Sequence, residues 1–283
     1  MRTASSRRHL RGATFLRAAL VVSAAVGLAV GVPSVFLAGG SGDALEQAAS
    51  HQEAAFAASN LPEPVAPAFV PGKPKLLRVS SHVKRWAVVR TVVAARVAPH
   101  ARAPAITELE TRTPEGTTNI VLVLGNRVDG AGRLWIRVRL AVLDEPSAGW
   151  VPREALGSYG TVTTRLVVDL GSLQATLFRD GQTVFRADVG VGKPAWPTPR
   201  GDFYIRNKLK GYASPMYGPV AFGTSARSRV LTDWPAEGFV GIHGTDRPDL
   251  LPGRVSHGCI RMRNHDILRL SKLMPIGTPL TIR

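Results

Sequence analysis

From residue 83 onward the sequence consists largely of short runs in which apolar and polar residues alternate, and this pattern constrains the fold more than any other feature. In the run Leu134–Leu140, for example, Ile136 and Val138 fall on one face and Arg137 on the other, as a half-buried strand requires. Glycine-containing turns separate several of the runs. The sequence therefore predicts a mainly β fold, with further strands at 86–89, 120–124, 165–170, 175–178, 183–189, 202–205 and 280–282.

One segment near the C-terminus departs from this alternation. Ile267, Leu270 and Met274 repeat at helical spacing, and Asn264 before them is a residue type that often caps helices. Pro275 follows and cannot continue the helix. We expect one short helix here.

The N-terminal region has the composition of an export segment. Residues 1–42 combine a basic flank with an uncharged stretch at 18–38, which as a helix would measure roughly 31 Å, close to a bilayer core of about 30 Å. The positive-inside rule places the flank in the cytoplasm and the remainder of the chain outside it. A retained membrane anchor and a cleaved signal sequence both remain open. Residues 43–80, rich in Ala and Pro, are predicted to be a linker.

The chain is strongly basic. It has 36 Lys and Arg residues against 20 Asp and Glu, a formal net charge of +16 that favours binding to polyanions. Nucleic acid, acidic lipid and an anionic cell wall all satisfy this condition, so charge alone does not identify the partner.

Cys259 is the only cysteine, so no disulfide can form within the chain. Structural cysteines outside the cytoplasm usually occur in pairs, and this one is flanked by His257 and Gly258 in a polar, turn-like stretch. A thiol is mostly protonated at neutral pH, and a neighbouring imidazole can hold it as the reactive thiolate. The pattern indicates a cysteine nucleophile.

Two histidines could serve as its base. His243 ends an apolar run that reads as a strand entering a glycine turn, and such a strand can bring the imidazole beside Cys259. His257 is closer in sequence, but a tight turn at Gly258 would direct its side chain away. Side-chain direction favours His243, with His257 as the alternative. The same turn could gather the backbone N–H groups of His257, Gly258 and Cys259 into an oxyanion hole, while Arg261 could pair with a substrate carboxylate.

A metal site is a competing interpretation of the same residues. His243, His257, Cys259 and His265 include the side chains that bind Zn²⁺. The His257-x-Cys259 spacing is, however, tighter than in usual zinc pairs, and a single thiolate is uncommon in structural sites. We therefore predict no metal and no cofactor.

Two resemblances to known families follow from these motifs. Residues 81–160 resemble a bacterial SH3-like small barrel, with Gly149–Pro152 similar to its closing strand. His243–Thr245 followed by Ser256–Met262 closely resembles the signature of the YkuD-type L,D-transpeptidases. That likeness extends to Gly192–Pro194, Thr198–Phe203 and Gly277–Leu280, and so covers residues 161–283.

The YkuD resemblance implies a β-sandwich catalytic domain that remodels peptidoglycan outside the cytoplasm. It implies that Cys259 attacks a stem-tetrapeptide carbonyl, releases D-Ala and passes the acyl group to an amine, with His243 as base and the Gly244 carbonyl orienting that imidazole. Arg261, Ser256 and Tyr217, the last in a glycine- and proline-rich segment at 211–223, are expected to contact substrate.

The expected partners are peptidoglycan stem peptides, anionic cell-wall polymers and, through the N-terminal segment, the membrane, with no nucleic acid. The predicted location is the cell envelope, either membrane-anchored or secreted. Two alternatives to the transpeptidase remain: an L,D-carboxypeptidase that uses water as acceptor, and a wall-binding protein without turnover.

Overall fold

The computed structural model describes residues 82–143, 147–210, 214–231 and 238–283. The predicted export segment at 1–42 and linker at 43–80 lie outside these residues. Within the described ranges, no helix is long and apolar enough to cross a membrane.

The first part of the chain forms a sheet of seven strands in the order β3-β2-β6-β5-β4-β1-β7. Its strands are β1 Lys84–Val89, β2 Val93–Arg96, β3 Ala105–Leu109, β4 Ile120–Val128, β5 Leu134–Arg139, β6 Ala148–Pro152 and β7 Leu156–Val162. The alternation predicted for β5 is confirmed, since Ile136 and Val138 are fully buried and Arg137 is exposed. The likeness to an SH3 barrel and the domain boundary at 160/161 stay predictions.

A second sheet of ten strands has the order β10-β9-β8-β17-β12-β13-β14-β16-β11-β15. Its strands are β8 Thr164–Asp169, β9 Gln174–Arg179, β10 Gln182–Asp188, β11 Gly190–Gly192, β12 Gly201–Lys210, β13 Val220–Arg227, β14 Phe239–His243, β15 Gly253–Ser256, β16 Ile260–Arg261 and β17 Pro279–Ile282. The mainly β fold is as predicted. The segment expected to be a loop at 211–223 is shorter than that, because β13 already begins at Val220.

Strand β12 joins the two halves of this sheet. Its first residues pair with β17 and its last with β13, so the sheet folds over and encloses one core. Leu166 and Leu177 from one half meet Phe222 and Ile242 from the other, all fully buried. Ile242 anchors β14 in this core, and His243 is the last residue of the same strand.

The predicted helix, α1, spans Asn264–Leu273 and packs Ile267 and Leu270 into that core. The expected cap is wrong in detail. Arg263 occupies the N-cap position, no side chain caps the helix, and the Asn264 carbonyl Oδ1 instead accepts a hydrogen bond from the Thr245 N–H at 2.9 Å.

Candidate active site

The imidazole lies on β14, and the thiol lies directly before β16, the strand that runs parallel to β14. β14 and β16 pair with Ile242 opposite Ile260 and His243 opposite Arg261. Both isoleucines are fully buried in the core. Because successive side chains on a strand point to opposite faces, His243 and Arg261 share the face away from the core. Cys259, two residues before Arg261, also falls on that face.

Gly241 separates the sulfur from the ring. Its N–H donates to Cys259 Sγ at 3.4 Å. The point where a Cβ on Gly241 would stand is 3.9 Å from Cys259 Sγ and 3.9 Å from His243 Cδ2. The thiol and the imidazole edge therefore border the same small volume, and a residue without a side chain keeps it open.

The orientation of His243 is set by its own turn. His243 Nδ1 lies 2.6 Å from the Gly244 carbonyl oxygen. Since that oxygen can only accept, Nδ1 carries the proton and Nε2 keeps its lone pair. The Tyr217 ring covers the imidazole, with ring centroids 4.8 Å apart and planes tilted by 56°.

Gly218 and Asn264 hold the Gly244 turn, a role that the sequence does not indicate for either residue. Gly218 lies against Gly244. Asn264 Oδ1 lies close to both glycines and accepts a hydrogen bond from the Thr245 N–H. Gly218 has a φ of 66°, which favours glycine, and a Cβ there would stand 2.7 Å from Gly244 Cα. Only the three-dimensional contact reveals their role, because they come from separate segments.

The turn before the cysteine is closed by internal hydrogen bonds. Ser256 Oγ donates to the Cys259 carbonyl at 2.5 Å and accepts from the Gly258 N–H at 3.1 Å. Thr198 Oγ1 donates to the Gly258 carbonyl at 2.8 Å. Gly258 has a φ of 112°, a conformation that only glycine adopts readily. The Ser256 hydroxyl and the Gly258 N–H are thus both engaged within the turn.

A cavity of about 150 Å³ opens onto the thiol. Cys259, His243 and Arg261 line it on one side. Its other described lining residues are Met216, Tyr217, Ser228, Leu231, Gly238, Phe239, Val240, Ser256 and His257. Arg261 Nε is buried without a hydrogen-bond partner among the described residues. The cavity thus offers a thiol, an imidazole and a guanidinium. The Trp196 ring packs against the lining residue His257, with 4.4 Å between the ring centroids.

Burial moves the pKa values of the reacting pair in opposite directions. Desolvation lowers the pKa of His243 to about 4; the nearby positive charge of Arg261 adds to the shift, while the hydrogen bond to Gly244 opposes it. Desolvation raises the pKa of Cys259, although the hydrogen bond from the Gly241 N–H and the charge of Arg261 both act to lower it. Both shifts favour a neutral thiol beside a neutral imidazole over a thiolate beside an imidazolium.

Of the residues in the metal interpretation, His243, His257 and Cys259 line the same cavity. His265 lies on the exposed side of α1, with its side chain 76% exposed and paired with Asp266. In the parts of the chain that the structure describes, no three His, Cys, Asp or Glu side chains are grouped so that they could hold a metal ion.

The fold and this site define a β-sandwich protein with a cysteine, a histidine and an arginine around one cavity. A family model, the L,D-transpeptidase catalytic domain YkuD, matches residues 163–282. The YkuD protein of Bacillus subtilis is 32% identical over 122 residues, which is 43% of this chain and 67% of that protein. The chain belongs to the YkuD family of L,D-transpeptidase catalytic domains, a family of cell-wall transferases.

Solved structures of this class are also similar. The catalytic domain of an Enterococcus faecium L,D-transpeptidase is 28% identical, with 42% of this chain and 96% of that domain covered and a TM-score of 0.33. A crystal structure of a mutant E. faecium L,D-transpeptidase is 29% identical over 42% of this chain, with a TM-score of 0.35. The match spans only about half of that solved chain, 49% of it.

Proposed function

We propose that this protein is a peptidoglycan L,D-transpeptidase that works through a cysteine acyl-enzyme. One observation carries the proposal: Cys259, directly before β16, and His243, on β14, line the same cavity, with His243 Nδ1 fixed on the Gly244 carbonyl. That arrangement leaves Nε2 as the acceptor for the thiol proton, which is the geometry that nucleophilic catalysis needs.

In the first half-reaction Cys259 Sγ attacks the carbonyl carbon after the third residue of a stem tetrapeptide. His243 Nε2 takes the thiol proton as the S–C bond forms, because both pKa shifts favour the protonated thiol before attack. The C–N bond to D-Ala then breaks, and the imidazolium returns the proton to the departing amine. The products are a thioester on Cys259 and free D-Ala.

In the second half-reaction an amine of another stem attacks the thioester. His243 accepts a proton from that amine and returns it to the departing sulfur, which restores the thiol. A new amide bond replaces the thioester, so the bond count is balanced without a cofactor. Water in place of the amine would give the carboxypeptidase outcome.

The developing oxyanion needs donors that are not already engaged. Because the Gly258 N–H donates to Ser256 Oγ, we assign the main part to the Cys259 N–H, with the positive charge of Arg261 nearby. The turn at Gly258 then directs the Cys259 N–H toward the oxyanion. His257 shapes the cavity as one of its lining residues. Ser256 supports the site through the turn.

The substrate side of the cavity fits a peptide that carries a carboxylate. The Arg261 guanidinium lines the cavity with an unpartnered Nε, and an arginine fork matches a carboxylate in geometry and charge. Tyr217 and Met216 supply apolar contact beside it. We assign Arg261 to the carboxylate of the stem peptide.

The remaining partners follow from charge and location. A cleft of about 290 Å³ is lined by Arg139, Arg200, Arg227 and Arg229, and Asp202 is the one acidic residue among its described lining residues. We propose that this face contacts anionic wall polymers. Exposure to the wall requires an extracytoplasmic location, which the composition of residues 1–42 supports as an anchor or signal.

The experiment is release of D-Ala from a purified stem tetrapeptide, followed together with intact-protein mass. The wild type should release D-Ala and gain the mass of the acyl tripeptide, and Cys259→Ala should do neither. His243→Ala should lose most of the release, whereas His265→Ala is the matched control with an exposed histidine. Equal D-Ala release by wild type and Cys259→Ala would refute the nucleophile, and no release by either would favour a binding protein.

A further inference from the structure

The loop between β3 and β4 of the first sheet inserts an acidic side chain into the second sheet. Glu115, near the tip of that loop, lies 2.7 Å from Arg206 Nη2 on β12. The two side chains are only 12% and 4% exposed, so this ion pair is largely removed from water. The neighbouring Asn207 donates to the other carboxylate oxygen of Glu115 at 3.1 Å and to Thr117 Oγ1 at 3.1 Å.

Arg206 also contacts a wall of the catalytic cavity. Its guanidinium carbon lies 3.7 Å from the centroid of the Phe239 ring, which lines the cavity beside Cys259. The Arg227 guanidinium lies over the same ring at 5.0 Å. A cation that is held out of water above an aromatic face is a strong constraint on the ring. Glu115 is thus connected to the cavity through Arg206 and Phe239.

A second connection runs from Asn207 toward the thiol. Asn207 Oδ1 accepts the Gly223 N–H at 2.9 Å. Gly223 is paired with Gly241 across β13 and β14, and the Gly241 N–H donates to Cys259 Sγ. Both partners of the Glu115 carboxylate are therefore connected to β14. Arg206 contacts the Phe239 side chain, and Asn207 is linked through Gly223 to the backbone of Gly241.

We propose that Glu115 is a positioning residue for the substrate pocket, acting through Arg206 to fix Phe239 as one wall of the cavity. Without the carboxylate, Arg206 would be a buried charge with no acidic partner among the described residues, which is costly, and it would turn toward solvent and leave the ring. The first sheet is then part of the substrate-binding apparatus of the second. The inference rests on the proposed function in one respect only, that the cavity at Cys259 receives the substrate.

Glu115→Gln tests this directly. We expect KM for the stem tetrapeptide to rise about three- to tenfold with kcat changed less than about twofold, the pattern of lost binding by a contact equivalent to one cation–π interaction. Glu154→Gln is the matched control, because Glu154 pairs with Arg133 on the surface and its side chain is 59% exposed. The control should keep the wild-type KM.

A second readout does not depend on turnover. Cys259 is the only thiol in the chain, so alkylation reports this cavity alone. We expect Glu115→Gln to react with iodoacetamide about as fast as wild type but with a bulky aromatic maleimide about threefold faster, because a released Phe239 ring widens the entrance. This arm remains readable even if the wild type releases no D-Ala, so failure of the proposed function and failure of the inference are distinguishable.

A double variant covers the case in which Glu115→Gln does not fold. Glu115→Leu with Arg206→Met removes both charges and leaves no unpaired ion, a replacement that is often neutral for stability. It should fold and still show the raised KM and the altered reagent ratio. A folded double variant, or a folded Glu115→Gln, with wild-type KM and wild-type reagent ratio would overturn the proposal and leave the pair a purely structural contact.

Discussion

Buried His243 makes the stability of this protein depend on pH. Its side chain is 3% exposed and desolvation holds its pKa near 4, compared with 6.5 for an ordinary histidine. Above pH 6.5 the ring is neutral in both the folded and the unfolded chain and favours neither. Between pH 6.5 and 4 the unfolded chain binds a proton that the folded chain does not, so the free energy of unfolding falls as the pH is lowered.

The size of the effect follows from the two pKa values. At about 1.36 kcal/mol for each pKa unit, their difference corresponds to a loss of about 3 kcal/mol in the free energy of unfolding. The full loss is reached only below pH 4. Between pH 7 and pH 4.5 most of this is already lost, about 2 kcal/mol. For a domain of marginal stability that is a large fraction of the total.

The assay is urea unfolding of wild type and His243→Gln at pH 7 and pH 4.5. Other groups titrate in this range, but they are common to both proteins, so the difference between the two proteins isolates His243. We expect the wild type to lose about 2 kcal/mol more than the variant on acidification. Equal losses in the two proteins would show that the imidazole is not held neutral by burial, and the neutral resting pair would have to be abandoned.

The remaining predictions concern the turn that orients the base. Gly218→Ala should lose about 2 to 3 kcal/mol of stability in thermal unfolding and most of its D-Ala release. The added Cβ would clash with Gly244 and Asn264, and the φ of 66° is unfavourable for alanine. Wild-type stability together with wild-type release would contradict this contact. Asn264→Ala should cost about 1 to 2 kcal/mol and lower kcat while the far-ultraviolet circular dichroism stays unchanged, since the side chain serves the Thr245 N–H and not the helix. Loss of helical signal in that variant would restore Asn264 to the capping role.

The fold was predictable wherever local patterning decides it. The Asp180–Gly181 turn has φ values of 51° and 82°, and it closes the hairpin of β9 and β10 as an Asp-Gly sequence between alternating runs predicts. Strand β5 followed its alternation for the same reason. Shorter strands such as β16, of two residues, carry no such pattern and form only because β14 and β11 already stand beside them.

The proximity of Cys259 and His243 was predictable because a strand fixes side-chain direction. His243 was favoured because a strand entering a glycine turn can bring it beside the thiol, and in the structure Cys259 and His243 line one cavity. The protonation state was not predictable in the same way. Whether a thiol rests as thiolate depends on how much water the fold removes, and the covering Tyr217 ring comes from a different segment.

Asn264 shows where sequence reasoning about single residues fails. An asparagine ahead of a helical repeat satisfies the local condition for a cap, and the local condition was met. The competing donor, the Thr245 N–H, lies 19 residues away in sequence and close to His243. A side chain with one useful oxygen serves whichever donor the tertiary fold brings to it. The same reasoning applies to Glu115, an ordinary loop glutamate in sequence, whose partners Arg206 and Asn207 lie more than ninety residues away. Polar residues that bind across such distances carry no periodic signal, so the structures that position a catalytic pair are those that a sequence pattern reveals least.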